Sequence, residues 1–208
     1  MAGRFITLEG GEGVGKSTQA GALAAALRAR GIDVLETREP GGSEGAEAIR
    51  RLLLEGAADR WNARAEALLF AAARADHVAR TIRPALENGC WVVCDRFLDS
   101  SIAYQGGADG LGDEAIRTLH RIGSEGLLPD RTFFLDMSIS DASRRQVTAG
   151  IAHSDRFEKR DGYFHDRVAE SFRRIARDEP DRVRTISAQG SPQQVTARLL
   201  DQLADMLP

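Results

Sequence analysis

The chain has 208 residues, 42% of them hydrophobic, and a formal net charge of −3. Such a length and apolar content suit one domain with one sizeable core over residues 1–208, and the mildly acidic balance argues against a general nucleic-acid binder. No apolar run is long enough to cross a bilayer, and Met1-Ala2-Gly3-Arg4 runs straight into the first strand without room for a signal peptide, so a cytoplasmic protein with no membrane partner is expected.

The first strand is Phe5 to Leu8. Directly after it, Gly10-Gly11-Glu12-Gly13-Val14-Gly15-Lys16-Ser17 fits GxxxxGK[ST] without mismatch. Glycines let the backbone turn so that successive N–H groups converge on phosphate oxygens, and the following helix aims its N-terminus at the same anion. In that pattern Lys16 carries an ammonium to the outer phosphates, and the Ser17 hydroxyl is placed for Mg²⁺. The expected nucleotide loop therefore runs from Gly10 through Thr18, with a helix over Ala20 to Arg30 behind it. A strand over Ile32 to Thr37 ends at Pro40-Gly41-Gly42. A helix over Ser43 to Leu54 and a long one over Ala63 to Leu86 follow, the latter stopped by Asn88-Gly89. Trp91 to Asp95 reads as a fully buried strand. Cys94 lies in that strand and Cys90 just before it, and both read as reduced core residues.

Asp113 to Glu125 is helical, Pro129 interrupts, and Thr132 to Asp136 is the next strand. Ser140 to Arg160 is polar and arginine-rich, broken at Gly150. A helix over Gly162 to Arg177 leads to a strand over Arg182 to Ile186. In the last helix Ser191 is the expected N-cap, Pro192 the first residue and Gln194 the partner in a capping box, with an apolar stripe of Val195, Leu199, Leu203 and Leu207. Five strands separated by helices predict an α/β fold of the P-loop NTPase kind, with a five-stranded parallel sheet covered by helices on both faces.

A phosphate loop names the ligand class, not the reaction. Asp95-Arg96, at the carboxyl end of a buried strand, is the second informative element. An acid there can organise Mg²⁺ or its waters, and the arginine can fork onto a second phosphate. Asp136 ends a similar strand but is followed by Met137-Ser138, so it ranks second. His77, His120, His153 and His165 have no ligand-type spacing, and no metal beyond nucleotide-bound Mg²⁺ is expected.

These residues, with Thr37-Arg38-Glu39-Pro40-Gly41-Gly42, Leu69-Phe70-Ala71-Ala72-Ala73-Arg74, Asp95-Arg96-Phe97, Ser100-Ser101, Ala103-Tyr104-Gln105-Gly106, Asp155-Arg156-Phe157-Glu158 and Phe164-His165-Asp166-Arg167-Val168, resemble bacterial thymidylate kinase (dTMP kinase) over nearly the whole chain. The resemblance implies transfer of the ATP γ-phosphoryl group to dTMP, giving dTDP for dTTP synthesis, by a homodimer. It implies that Phe70 stacks on thymine and Arg74 donates to a base carbonyl. It makes Arg38 and Arg96 the clamp on the acceptor phosphate, turns the Glu12 carboxylate toward the acceptor's 3′-hydroxyl, and sets Tyr104 against the 2′ position. Ser101 and Gln105 then line the base pocket, and Ala188 and Gln189 touch adenine. The catalytic set is Lys16, Asp95, Arg96 and lid arginines, with Ser17 and Asp95 at the Mg²⁺. Because Gln146 to Ser154 carries no arginine, the lid cation is expected to be Arg156, assisted by Arg145.

Two rivals remain. A regulatory GTPase lacks its guanine-reading Asn-Lys-x-Asp element here, and a kinase for another nucleotide or a deoxynucleoside differs only in the pocket residues Phe70, Arg74, Ser101 and Tyr104.

Overall fold

In the computed structural model, which describes residues 3–57, 59–148, 156–157 and 160–207, five strands pair in parallel. They are β1 (Phe5–Glu9), β2 (Val34–Arg38), β3 (Trp91–Asp95), β4 (Arg131–Asp136) and β5 (Val183–Ser187), in the order β2-β3-β1-β4-β5. β1 is thus central, with Leu8 opposite Asp95 of β3 and Glu9 opposite Phe134 of β4. Alternation sorts side chains to two faces. Phe5, Val92, Cys94 and Phe134 enter one apolar cluster, while Ile6, Leu8, Val93, Phe133 and Leu135 enter the other. Both faces are covered, which is why the strands read as continuous apolar runs.

Helix α1 (Lys16–Arg28) starts four residues before Ala20, immediately after Gly15. In α2 (Glu44–Leu54) the Ser43 side chain is the N-cap, accepting from Ala46 N, and in α3 (Ala63–His77) Asn62 plays the same part for Ala65 N. The single helix expected over Ala63 to Leu86 is instead α3, a π-helical turn at Val78–Ile82, and α4 (Arg83–Glu87). Pro84 explains the break: it has no N–H to give and its ring crowds the carbonyl one turn back, a conflict that a wider turn relieves.

The segment after β3, read only as motif, is helical as well: α5 (Leu98–Ser101) passes into a π-helical stretch, Ile102–Ala108. Its Ser, Gln and Gly content has no amphipathic period because nearly all of it is buried. The chain continues through α6 (Asp113–Ser124), α7 (Ile139–Thr148), α8 (Gly162–Asp178) and α9 (Pro192–Asp201). Gly107 lets the π-helical stretch approach α8, since a Cβ there would lie 2.1 Å from Ser171 Oγ. The Ser191–Gln194 capping box of α9 is present, and Val195, Leu199 and Leu203 are buried in the cluster that holds Leu23 and Leu27 of α1. Cys90 and Cys94 are free thiols. Of the expected lid, α7 supplies the start and Arg156, Phe157 and Arg160 the end. Residues 149–155 and 158–159, with His153, Asp155 and Glu158, lie outside the described residues.

On α6, His120 is 4% exposed; its Nε2 donates to Leu127 O at 2.7 Å and its Nδ1 is buried without a partner. Burial, and after it the Arg74 guanidinium, hold its pKa down at about 4. A base depressed by folding binds more protons when unfolded, so its contribution is complete above pH 6.5 and is lost as pH falls from 6.5 through about 4. Thermal unfolding between pH 7 and 4 is expected to show this decline, and His120→Gln should flatten it while lowering Tm at neutral pH.

Candidate active site

The carboxyl ends of β1 and β3 meet at the phosphate loop. Gly10 has φ 143° and no room for a side chain, since a Cβ would lie 2.7 Å from Leu135 O. Gly15, at φ 98°, is the left-handed N-cap of α1. Lys16 is 6% exposed, its Nζ donating to Gly11 O at 2.6 Å, and burial lowers its pKa from the usual lysine range, with Arg96 adding to the effect. Ser17 Oγ donates to Asp95 Oδ2 at 2.5 Å, while Asp95 Oδ1 is buried without a hydrogen-bond partner. A hydroxyl beside a carboxylate oxygen that lacks a donor fits Mg²⁺. Among the described residues no group of three or more His, Cys, Asp or Glu side chains forms a cage, so the fit is to a cation carried chiefly by nucleotide phosphates. Asp136, the rival acid, takes Arg173 at 3.3 Å instead.

Beside the loop opens a cavity of about 210 Å³. Every residue expected for the acceptor lines it: Glu12, Arg38, Phe70, Arg74, Arg96, Ser101, Tyr104 and Gln105. Arg96 adopts φ 69°, and its NH1 donates to Gly10 O and Ser100 Oγ, each at 3.0 Å. Its NH2 meets Glu12 Oε1 at 2.6 Å, and Tyr104 OH donates to the same oxygen at 2.8 Å. Burial would raise the Glu12 pKa, but the Arg96 guanidinium, then the Lys16 ammonium, hold it at about 2. The acid inside the phosphate loop is therefore a carboxylate paired with the arginine that follows β3.

Arg74 is not the surface arginine that a Phe-x-x-x-Arg helix would suggest. It is 3% exposed, with Nε on Glu39 Oε2 at 2.7 Å and NH2 on Ser101 Oγ at 2.9 Å and Phe97 O at 3.0 Å. Glu39 also meets His77 Nδ1 at 3.0 Å; burial would raise its pKa, but the paired Arg74 brings it below the usual carboxylate range. Sequence reasoning gave Glu39 no role, though an acid between Arg38 and Pro40 was visible. Arg38 is half-exposed and bonded to Glu47 at 3.1 Å.

The two expected lid arginines, Arg156 and Arg145, lie in different places. Arg156 is 1% exposed and does not reach the phosphate loop: NH1 donates to Leu53 O at 3.2 Å and NH2 to Glu66. Glu66, fully buried on α3, also receives Arg160 at 3.2 Å and Gln105 Nε2 at 2.8 Å. This clasp was missed because Glu66 sits in an ordinary-looking helix. It holds Phe157, which lines the cavity, 5.7 Å from the Phe70 ring. Arg145 is the arginine beside the phosphate loop, with NH1 on Val14 O at 3.2 Å and NH2 on Ala188 O at 3.0 Å. Ala188 is buried and Gln189 exposed, so this loop presents Gln189 outward.

A family model described as thymidylate kinase matches residues 8–199. The chain is 84% identical over its full length to a curated thymidylate kinase of Rhizorhabdus wittichii, each covered completely. It is 50% identical to one of Chromohalobacter salexigens, over 99% of this chain and 97% of that one. The crystal structure of thymidylate kinase from Ehrlichia chaffeensis superposes with a TM-score of 0.79 at 31% identity, covering 98% of this chain and all of the other.

Proposed function

The chain belongs to the thymidylate kinase family and is a phosphotransferase that converts dTMP to dTDP, and we propose that ATP with Mg²⁺ is the donor and the cavity beside the phosphate loop the acceptor site. The observation that carries this reading is the convergence of the eight expected acceptor residues on one cavity that also meets Lys16, Ser17 and Asp95.

Phosphoryl transfer needs in-line positioning and compensation of charge more than covalent help. The backbone N–H groups of Gly10 to Thr18 and Lys16 hold the donor's outer phosphates. Ser17 and Asp95 would hold Mg²⁺, which when bound neutralises phosphate charge. Arg96, with Arg38 at the rim, holds the acceptor phosphate so that its oxygen attacks the γ-phosphorus as the bond to the β-phosphate oxygen breaks. Phe70 stacks on the base, Arg74, Ser101 and Gln105 meet its polar edge, and Glu12 with Tyr104 faces the deoxyribose. Ala188 and Gln189 serve the adenine side, and Arg145, which bridges from Ala188 to Val14 of the phosphate loop, compensates charge on the transferring phosphoryl group. Coupled ADP release across dTMP, dUMP, dCMP, dGMP and AMP tests the reading. The fastest turnover is expected with dTMP and with ATP over GTP; equal rates with AMP would sink it.

Phe70→Ala is expected to raise KM for dTMP roughly tenfold or more, since a base–aromatic stack contributes about 1–3 kcal/mol, with KM for ATP unchanged. Equal changes for both substrates would mark Phe70 as structural. Arg74 is a poorer probe, because its loss would strand the buried Glu39 carboxylate.

The same reading includes a cytoplasmic homodimer. Leu68 on α3 is 57% exposed and Ile122 on α6 is 78% exposed, and these helices pack together. They give the dimer an apolar contact, which Ile122→Lys should weaken in sedimentation experiments.

A further inference from the structure

Glu9, the last residue of β1, is fully buried and does not line the cavity. Both of its carboxylate oxygens face the segment after β3: Oε1 accepts from Phe97 N at 2.8 Å and Oε2 from Ser100 Oγ at 2.5 Å. Ser100 Oγ in turn accepts from Arg96 NH1. Among the described residues, Arg96 is one of two non-glycine residues at positive φ, a conformation that persists only where its surroundings over-determine it. Glu9 grips that turn at the residue after Arg96 and again at Ser100. From below, Asp99 is gripped by Arg182 at 2.7 and 2.8 Å, so α5 is fastened on two sides.

Only an acceptor serves here. The Ser100 hydroxyl has one proton, and giving it to Glu9 leaves the oxygen's lone pairs for the Arg96 N–H. Burial, and next the Asp99 carboxylate, push the Glu9 pKa up to about 7, while the bonds from Ser100 and Phe97 and the Arg96 charge favour the carboxylate.

We propose that Glu9 is a positioning residue for the acceptor clamp: its carboxylate fixes the Arg96–Phe97 turn and orders the Ser100 hydroxyl, so that the Arg96 guanidinium is held in place for the acceptor phosphate. This rests on the reading of Arg96 as that clamp. Glu9→Gln keeps the size and the bond from Phe97 N, but presents an N–H₂ to Ser100 Oγ, so the hydroxyl proton loses its acceptor and the amide competes with Arg96 for the Ser100 lone pairs.

The test is steady-state kinetics in both substrates, with thermal melting, for Glu9→Gln, Ser100→Ala, the double variant and Arg96→Lys. In Glu9→Gln, KM for dTMP should rise roughly ten- to hundredfold while KM for ATP stays within about twofold. Ser100→Ala should raise KM for dTMP about threefold or more, and the double variant should be no worse than Glu9→Gln because the two act in series. Unchanged KM for dTMP in folded Glu9→Gln, or equal rises for both substrates, overturns the proposal. If Glu9→Gln does not fold, Ser100→Ala decides by the same criterion. Arg96→Lys separates the layers: a normal KM for dTMP there removes the clamp reading itself, whereas a raised one beside a normal Glu9→Gln removes only the positioning role.

Discussion

Lys16→Ala is expected to lower kcat by at least about 10²–10³, the loss typical when one preorganised donor to developing charge is removed. Lys16 lies at the start of α1, where Nζ donates to a carbonyl of the same loop, Gly11 O, and among the described residues it forms no ion pair. Its ammonium contributes little that the fold requires, so the variant should melt close to the parent. Steady-state rates with saturating dTMP and ATP, beside circular-dichroism melting, separate the two contributions. Near-normal turnover in a folded variant would mean that Gly10 to Ser17 is a glycine-rich turn and not a phosphate cradle.

Arg145→Ala is expected to cut kcat/KM for ATP by roughly 10³, the lower end of what an arginine at a transferring phosphoryl group contributes, with KM for dTMP nearly unchanged. The guanidinium bridges the phosphate loop and the loop after β5, and a Cβ on Gly15 would lie 3.5 Å from Arg145 NH1. Arg156→Ala should behave differently. Removing Arg156 leaves the buried Glu66 with Arg160 as its remaining cation, a change that lowers stability by less than the roughly 3–5 kcal/mol of an unpaired buried charge, and it loosens Phe157 at the cavity wall. A lower Tm and a raised KM for dTMP are therefore expected, with the ATP side largely intact. Should Arg156→Ala instead show the large kcat defect in a folded enzyme and Arg145→Ala none, the roles are exchanged.

Local rules carried the reading where local physics decides structure. The phosphate loop, the buried strand ending in Asp95 and the capping box of α9 each depend on residues within a few positions of one another. The long helix failed at Pro84, where a tertiary solution, the π-helical turn, kept the chain helical through a residue that ends most helices. The stretch after Phe97 was missed because a helix buried all round has no polar face to set a period. For the site, the residues that touch the cavity came from the resemblance to thymidylate kinase, with only the phosphate loop and Asp95-Arg96 legible from motif and position, and those behind them were not legible. Glu9, Glu39 and Glu66 act through partners 88, 35 and 90 positions away, at Phe97, Arg74 and Arg156. Nothing in a single sequence joins such pairs. For the same reason the contacts of Arg145 with Val14 and Ala188, 131 and 43 positions away, were not visible in the sequence.

Helix α3 sets a length standard for the whole acceptor wall. Glu66, Phe70, Arg74 and His77 stand about one turn apart along one face of it; Phe70 and Arg74 line the cavity, Glu66 and His77 bond to partners beside it, and Leu68 faces outward. A residue inserted between Glu66 and Arg74 would rotate everything downstream by about 100° and advance it by about 1.5 Å, because each helical residue contributes that much. Phe70 or Arg74 would then swing out of the cavity while Glu66 stayed with its arginines, and no neighbouring side chain is placed to substitute. The helix is thus a ruler that is sensitive above all to a change in the number of its divisions. A library of single-residue insertions and deletions should find α3 closed to both, even at positions where conservative single substitutions are accepted.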